Sequence, residues 1–212
     1  MAIYLDSASV EDARRAAELG FVAGITTNPK LIARAGRAAE EVIPELCDAL
    51  GEGLVFYQLT APSVEEREVE ARCFAALRPG RVVLKIPCTT ENLVLLRRLV
   101  DEGFACAATA VFSAHQALLA CEAGADYIIP YVNRATRLQG DGVALVAELA
   151  AVVEATGGLS EILAASFHGV SEVVQAVLAG ADHVTLPLSL LLALGDHPLS
   201  KQAIVEFAQA GG

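Results

Sequence analysis

One lysine stands where a lysine is costly. Lys85 interrupts the apolar run Val82-Val83-Leu84-Lys85-Ile86-Pro87. Burying an ammonium costs several kcal/mol, about what it takes to drive such a group neutral or into a pair. A neutral, desolvated amine is a nucleophile for a carbonyl carbon, the first requirement of Schiff-base chemistry. Strand position alone leaves two readings open: a nucleophile, or a lysine at a frayed strand end that snorkels to solvent or pairs with a carboxylate.

Other polar residues also close apolar runs: Asp6, Thr26-Thr27-Asn28, Gln58, Thr109, Tyr131 with Asn133 and Arg134, and Ser166. Each has a plain structural alternative. Asp6 is a general base or the N-cap of the helix after Ser7. Thr26-Thr27-Asn28-Pro29 is a ligand loop or a turn with Pro29 at the first helical position. Tyr131 is a site residue or a core residue with its hydroxyl on the backbone. Arg134, with Arg137 nearby, is an anion ligand such as a phosphate ester needs, or half of a surface ion pair. His115, His168, His183 and His197 are isolated, and no pair has metal-ligand spacing, so no metal is expected. Cys47, Cys73, Cys88, Cys106 and Cys121 form no C-x-x-C pair and read as buried reduced thiols.

The elements that must carry these residues alternate in texture. Apolar runs recur at Ile3–Leu5, Ala23–Ile25, Leu54–Tyr57, Val82–Ile86, Phe104–Ala108, Tyr127–Ile129, Ile162–Ala165 and Val184–Leu186. Between them the spacing is helical, as in Leu93, Leu96, Arg97 and Val100. Ser63 with Glu66, and Ser113 with Gln116, have capping-box spacing. Gly103, Gly124 and Gly180 fall where helices end. A short echo, Ala123-Gly124-Ala125-Asp126 and Ala179-Gly180-Ala181-Asp182, precedes two of the runs. Strands apolar on both faces are covered on both sides, hence parallel. Eight of them alternating with helices predict an α/β fold, a closed (β/α)8 TIM barrel. The alternative, an open doubly wound sheet, has no G-x-G-x-x-G or P-loop to support it.

The 212 residues read as one domain, 1–212, with 199–210 as a C-terminal helix that packs on a neighbouring subunit. Hydrophobic residues at 54% against 19% charged exclude a disordered chain. A net charge of −11 argues against nucleic acid and anionic membrane as partners. The start, Met-Ala-Ile-Tyr-Leu-Asp, has no basic region before an apolar one, so a cytoplasmic protein is expected.

Taken together, Tyr4-Leu5-Asp6, Gly24-Ile25-Thr26-Thr27-Asn28-Pro29, Val83-Leu84-Lys85-Ile86-Pro87, Thr109-Ala110-Val111-Phe112, Pro130-Tyr131-Val132-Asn133-Arg134 and Ala164-Ala165-Ser166-Phe167 resemble the small transaldolase family, especially its fructose-6-phosphate aldolase branch. The resemblance spans essentially the whole chain. It implies a (β/α)8 barrel, no cofactor, a sugar-phosphate substrate and a homo-oligomer, pentamer or decamer. It implies Lys85 as the Schiff-base lysine and Asp6 as proton acceptor. Gln58, Thr109 and Tyr131 would position a water; Thr26 and Asn28 would face the substrate, Asn28 on its hydroxyls. Arg134 and Ser166 would hold phosphate. The family's transaldolases are similar to one another in having Glu at position 58 and Phe at 131, so Gln58 and Tyr131 lean toward the aldolase. Three positions depart from the pattern. Ala107 and Ile129 replace polar residues near the donor's C1 hydroxyl, and His168 replaces an Arg or Lys phosphate ligand. Two other functions fit the same strand ends: a sugar-phosphate isomerase or epimerase with Lys85 as an electrostatic ligand, and a binding barrel without turnover.

Overall fold

The computed structural model describes residues 1–210. The chain runs β1 (Ala2–Asp6), α1 (Val10–Leu19), β2 (Val22–Thr26), α2 (Pro29–Ala35), α3 (Ala39–Leu50), β3 (Leu54–Gln58), α4 (Val64–Leu77), β4 (Val82–Pro87), α5 (Thr90–Asp101) and β5 (Cys106–Val111). It continues α6 (Ala114–Glu122), β6 (Tyr127–Pro130), α7 (Val132–Gln139), α8 (Gly142–Ala155), β7 (Glu161–Ala164), α9 (Val170–Leu178), β8 (His183–Leu186), α10 (Leu188–Leu194) and α11 (Pro198–Ala210). The strands pair in sequence order, all parallel, and β8 closes on β1. The eight apolar runs are the eight strands, and the fold is the (β/α)8 barrel.

Side chains alternate across the barrel wall, as a period of two demands. Leu5, Ile25, Val55, Leu84, Ile86, Ala108, Ile128 and Ile162 face outward into one continuous core with the helices. Tyr4, Phe56, Val83, Ala107, Ile129, Leu163 and Ala165 face inward and fill the interior. Ala107 and Ile129, two of the three departures, therefore belong to the inner packing. Gly24 makes room for this: a Cβ there would lie 2.6 Å from the Tyr4 ring and 2.5 Å from the Leu54 carbonyl.

The sequence echo has a physical explanation. Gly124 and Gly180 take left-handed backbone at helix ends, φ +83° and +107°. Two residues on, Asp126 accepts the Cys106 amide and Asp182 the Ile162 amide, each at 2.8 Å. Each aspartate thus pins its own strand to the one before it at the N-terminal end.

Three local expectations need correction. Helix α1 begins at Val10 with Ser9 as its N-cap, so Asp6 caps nothing. Ser63 and Glu66 form the full capping box, whereas Gln116 reaches past Ser113 to the Phe112 amide. All five cysteines are free, but only Cys47, Cys88 and Cys106 are buried; Cys73 is exposed and Cys121 half-buried. Among the described residues no helix is long and apolar enough to cross a membrane.

Candidate active site

At the C-terminal ends of the strands the barrel opens into a cleft of about 390 Å³, within the range of small-molecule sites. Asp6, Thr26, Asn28, Gln58, Lys85, Tyr131, Arg134 and Ser166 line it together. Alternation explains how. Asp6, Thr26, Gln58 and Lys85 each lie two residues beyond an inward-facing position on β1 to β4, so they continue the inner surface upward. In register, Asp6 pairs with Thr26 and Gln58 with Lys85.

Lys85 is 4% exposed, and its Nζ donates to the Thr27 carbonyl at 2.8 Å. Burial lowers its pKa to about 8, against an opposing pull from the Asp6 charge. Near neutrality a lysine at about 8 keeps roughly a tenth of its population as free amine, several hundred-fold more than an exposed lysine. Asp6 moves the other way: burial raises its pKa, while the Lys85 charge and a 2.9 Å bond from Thr26 Oγ1 lower it. Two groups with pKa values pushed toward each other in one cleft suit a nucleophile and a proton acceptor.

Across the mouth, Tyr131 Oη lies 3.1 Å from Thr109 Oγ1, so the hydroxyl is held by a side chain and not by backbone. Gln58 Oε1 is buried with no hydrogen-bond partner among the described residues, an acceptor left available on the cleft lining. The Arg134 guanidinium stacks over the Tyr131 ring at 4.9 Å and makes no ion pair among the described residues. It is therefore a free cation on a wall of the cleft. Asn28 spends its Oδ1 on the Lys30 and Leu31 amides as the cap of α2, which fixes its rotamer and leaves its amide nitrogen to the cleft.

Among the described residues, two that are not glycine adopt left-handed backbone, Ala110 at φ +57° and Ser166 at φ +65°, both at strand tops. Such residues cost about 1 kcal/mol or more and cluster at functional sites. Ala110 makes the bulge between β5 and β6. Ser166 accepts the Asn133 amide at 2.7 Å, and Ala165 the Val132 amide at 2.8 Å, so the start of α7 is tied to the end of β7. That tie puts Arg134 and Ser166 on adjoining segments of one wall.

His168 goes elsewhere. It is exposed and lines a separate surface groove with Asn133, Thr136, Glu172 and Gln175. Two residues not singled out in the sequence do belong to the site. Lys30 lines the cleft directly after Asn28-Pro29. Thr185, on β8, lies beneath it with Oγ1 2.6 Å from Thr26 Oγ1. The signal that could have found Lys30 is its place after Thr26-Thr27-Asn28-Pro29, and for Thr185 its inward phase on β8. Among the described residues no cluster of His, Cys, Asp or Glu is placed to hold a metal ion.

The family profile "Transaldolase/Fructose-6-phosphate aldolase" matches residues 3–210. The chain is 41% identical over 208 residues to "Probable transaldolase" of Lactiplantibacillus plantarum, covering 98% of this chain and 95% of that one. It is 37% identical over 207 residues to "Probable transaldolase 1" of Listeria monocytogenes serotype 4b, covering 98% and 96%. A solved structure described as "Native KDPGal structure" superposes with a TM-score of 0.61 over 87% of this chain and 81% of that one; at 17% identity it speaks for the fold alone.

Proposed function

The chain belongs to the transaldolase/fructose-6-phosphate aldolase family, and from that premise we propose that it cleaves ketose phosphates such as fructose 6-phosphate through an imine on Lys85. One observation carries the reading: a buried lysine, its pKa brought down to about 8, opens into the same cleft as Asp6, Gln58 and Tyr131. The Lys85 amine adds to the C2 carbonyl and water leaves. Asp6 takes the proton of the C4 hydroxyl. The C3–C4 electrons flow into the iminium, the aldehyde departs, and Lys85 keeps a three-carbon enamine. Arg134 and Ser166 hold the phosphate of the leaving aldehyde, with Lys30 as a further cation on the same cleft. Asn28 and Thr26 face the hydroxyls of the retained unit.

The enamine has two fates: addition to another aldehyde, or protonation at C3 and hydrolysis to dihydroxyacetone. Both end with water at the imine carbon, which frees Lys85 from dihydroxyacetone in one case and from the product ketose in the other. Gln58 Oε1, Thr109 and the Tyr131 hydroxyl supply uncharged hydrogen-bonding groups for that water. Gln58 and Tyr131, standing where the family's transaldolases are similar in having Glu and Phe, favour the aldolase over the transferase. Helix α11, exposed along its length with Leu199, Ile204, Val205 and Phe207 bare, supports its packing on a neighbouring subunit of a homo-oligomer, which sedimentation tests.

The test is fructose 6-phosphate with borohydride, read by mass spectrometry. A three-carbon adduct on Lys85 is expected; folded protein with no adduct from any ketose overturns the reading. Turnover without erythrose 4-phosphate marks an aldolase, and strict dependence on that acceptor a transaldolase.

A further inference from the structure

We propose that Thr185 is a positioning residue for Asp6, acting through Thr26: its hydroxyl donates to Thr26 Oγ1, which donates to the Asp6 carboxylate, and the chain holds Asp6 charged and aimed at the mouth. The inference rests on the reading of Asp6 as the group that takes the C4 proton.

Counting hydrogens fixes the direction. An ionised carboxylate only accepts, so Thr26, 2.9 Å from Asp6 Oδ1, spends its single proton there. The Thr185 oxygen is 2.6 Å from Thr26 Oγ1, and Thr26 has nothing left to give it. Thr185 is therefore the donor. Both threonines are buried, and the Thr185 hydroxyl has no other partner among the described residues. The chain spans the barrel seam: Thr185 registers with Tyr4 on β1, and Thr26 with Asp6.

Asp6 needs this support because its other support is intermittent. Burial alone favours the protonated acid, which cannot accept the C4 proton. The Lys85 charge favours the carboxylate, but attack on the ketone requires Lys85 to be neutral. The Thr26 bond persists in both states. A donated bond into Thr26 polarises its O–H and strengthens the bond it makes. The remaining groups near Asp6 do not replace it. Lys85 on β4 is the charged group acting on Asp6; Lys30 of α2, Tyr131 and Arg134 line the cleft beyond; Tyr4 and His183 lie lower on β1 and β8.

Thr185→Val keeps the branched shape and strand preference but removes the hydroxyl. Thr185→Ser keeps the hydroxyl. Carbon-13 NMR of the Asp6 carboxyl, assigned with Asp6→Asn, should show its titration raised by about 0.5 pH unit in Thr185→Val and near wild type in Thr185→Ser. The acid limb of kcat for fructose 6-phosphate cleavage should move by the same amount, with KM unchanged. Thr185→Ala, read the same way, serves if the valine overpacks. Superimposable titrations and pH profiles for wild type and the hydroxyl-less variants would overturn the proposal. The NMR reading is independent of turnover. A raised Asp6 without a Lys85 adduct upholds the Thr185 chain and sinks the aldolase reading; an adduct without a raised Asp6 does the reverse.

Discussion

The two ends of the barrel interior are built from the same eight strands and do opposite things. At the N-terminal end, Tyr4, Phe56, Tyr127 and His183 form an aromatic plug. Tyr4 meets Phe56 edge-on at 5.5 Å, and Phe56 meets Tyr127 at 5.0 Å. His183 accepts the Ala2 amide on Nδ1 at 3.0 Å, while its Nε2, 3.0 Å from the Glu161 carboxylate, makes no hydrogen bond of good geometry among the described residues. At the C-terminal end the interior holds a buried lysine, a buried acceptor without a partner and two left-handed residues. Packed rings dominate the first end, and polar and left-handed residues the second, the division expected of a barrel whose chemistry sits at the strand tops.

Lys85→Met breaks the comparison most directly. It should lower turnover by at least about 10⁴-fold and abolish the borohydride adduct, because no amine remains. The urea midpoint should hold or rise, since an apolar side chain of similar length needs no hydration. A marked fall in the midpoint would mean that the lysine contributes to stability as well. Phe56→Ala tests the other end. It should cost about 3–5 kcal/mol in urea unfolding while the folded fraction keeps kcat near wild type. A large loss of kcat in fully folded protein would show that the plug also shapes the mouth.

The third prediction concerns pH. Lys85 has its pKa lowered on folding, so the native chain sheds that proton before the unfolded one does. Stability should therefore rise with pH from about 8 up to the ordinary lysine range, and this rise should vanish in Lys85→Met. Adduct formation should rise over the same lower limb, with a midpoint near pH 8. The smallest effect is expected from Lys30→Ala. KM for a phosphorylated ketose should rise by about two- to fivefold, with little change for dihydroxyacetone, because an exposed cation on a cleft wall is screened. An equal change for both substrates would remove Lys30 from phosphate binding.

Much of this was readable in the chain because a parallel barrel buries both faces of every strand. Apolar runs then mark the strands, and any charge that ends one stands out, as Lys85 and Asp6 do. Thr185 carries no such contrast. Threonine is common in strands, and nothing along the sequence says that its hydroxyl meets Thr26 from a strand 159 positions away. Lys30 reads as an ordinary solvated helix residue until the mouth is assembled. Whether Asp6 caps a helix depends on where α1 starts, and Ser9 decides that by one side-chain bond to the Asp12 amide. The destination of His168 depends on the turn at Ser166, whose positive φ no residue type announces.

The bond from Lys85 to the Thr27 carbonyl is a tether. A free four-carbon stem samples many rotamers, and each one removed before substrate arrives is entropy that the encounter does not have to lose. The tether is a main-chain oxygen, which no side-chain substitution removes. The amine should therefore keep its place when the residues around the mouth are exchanged.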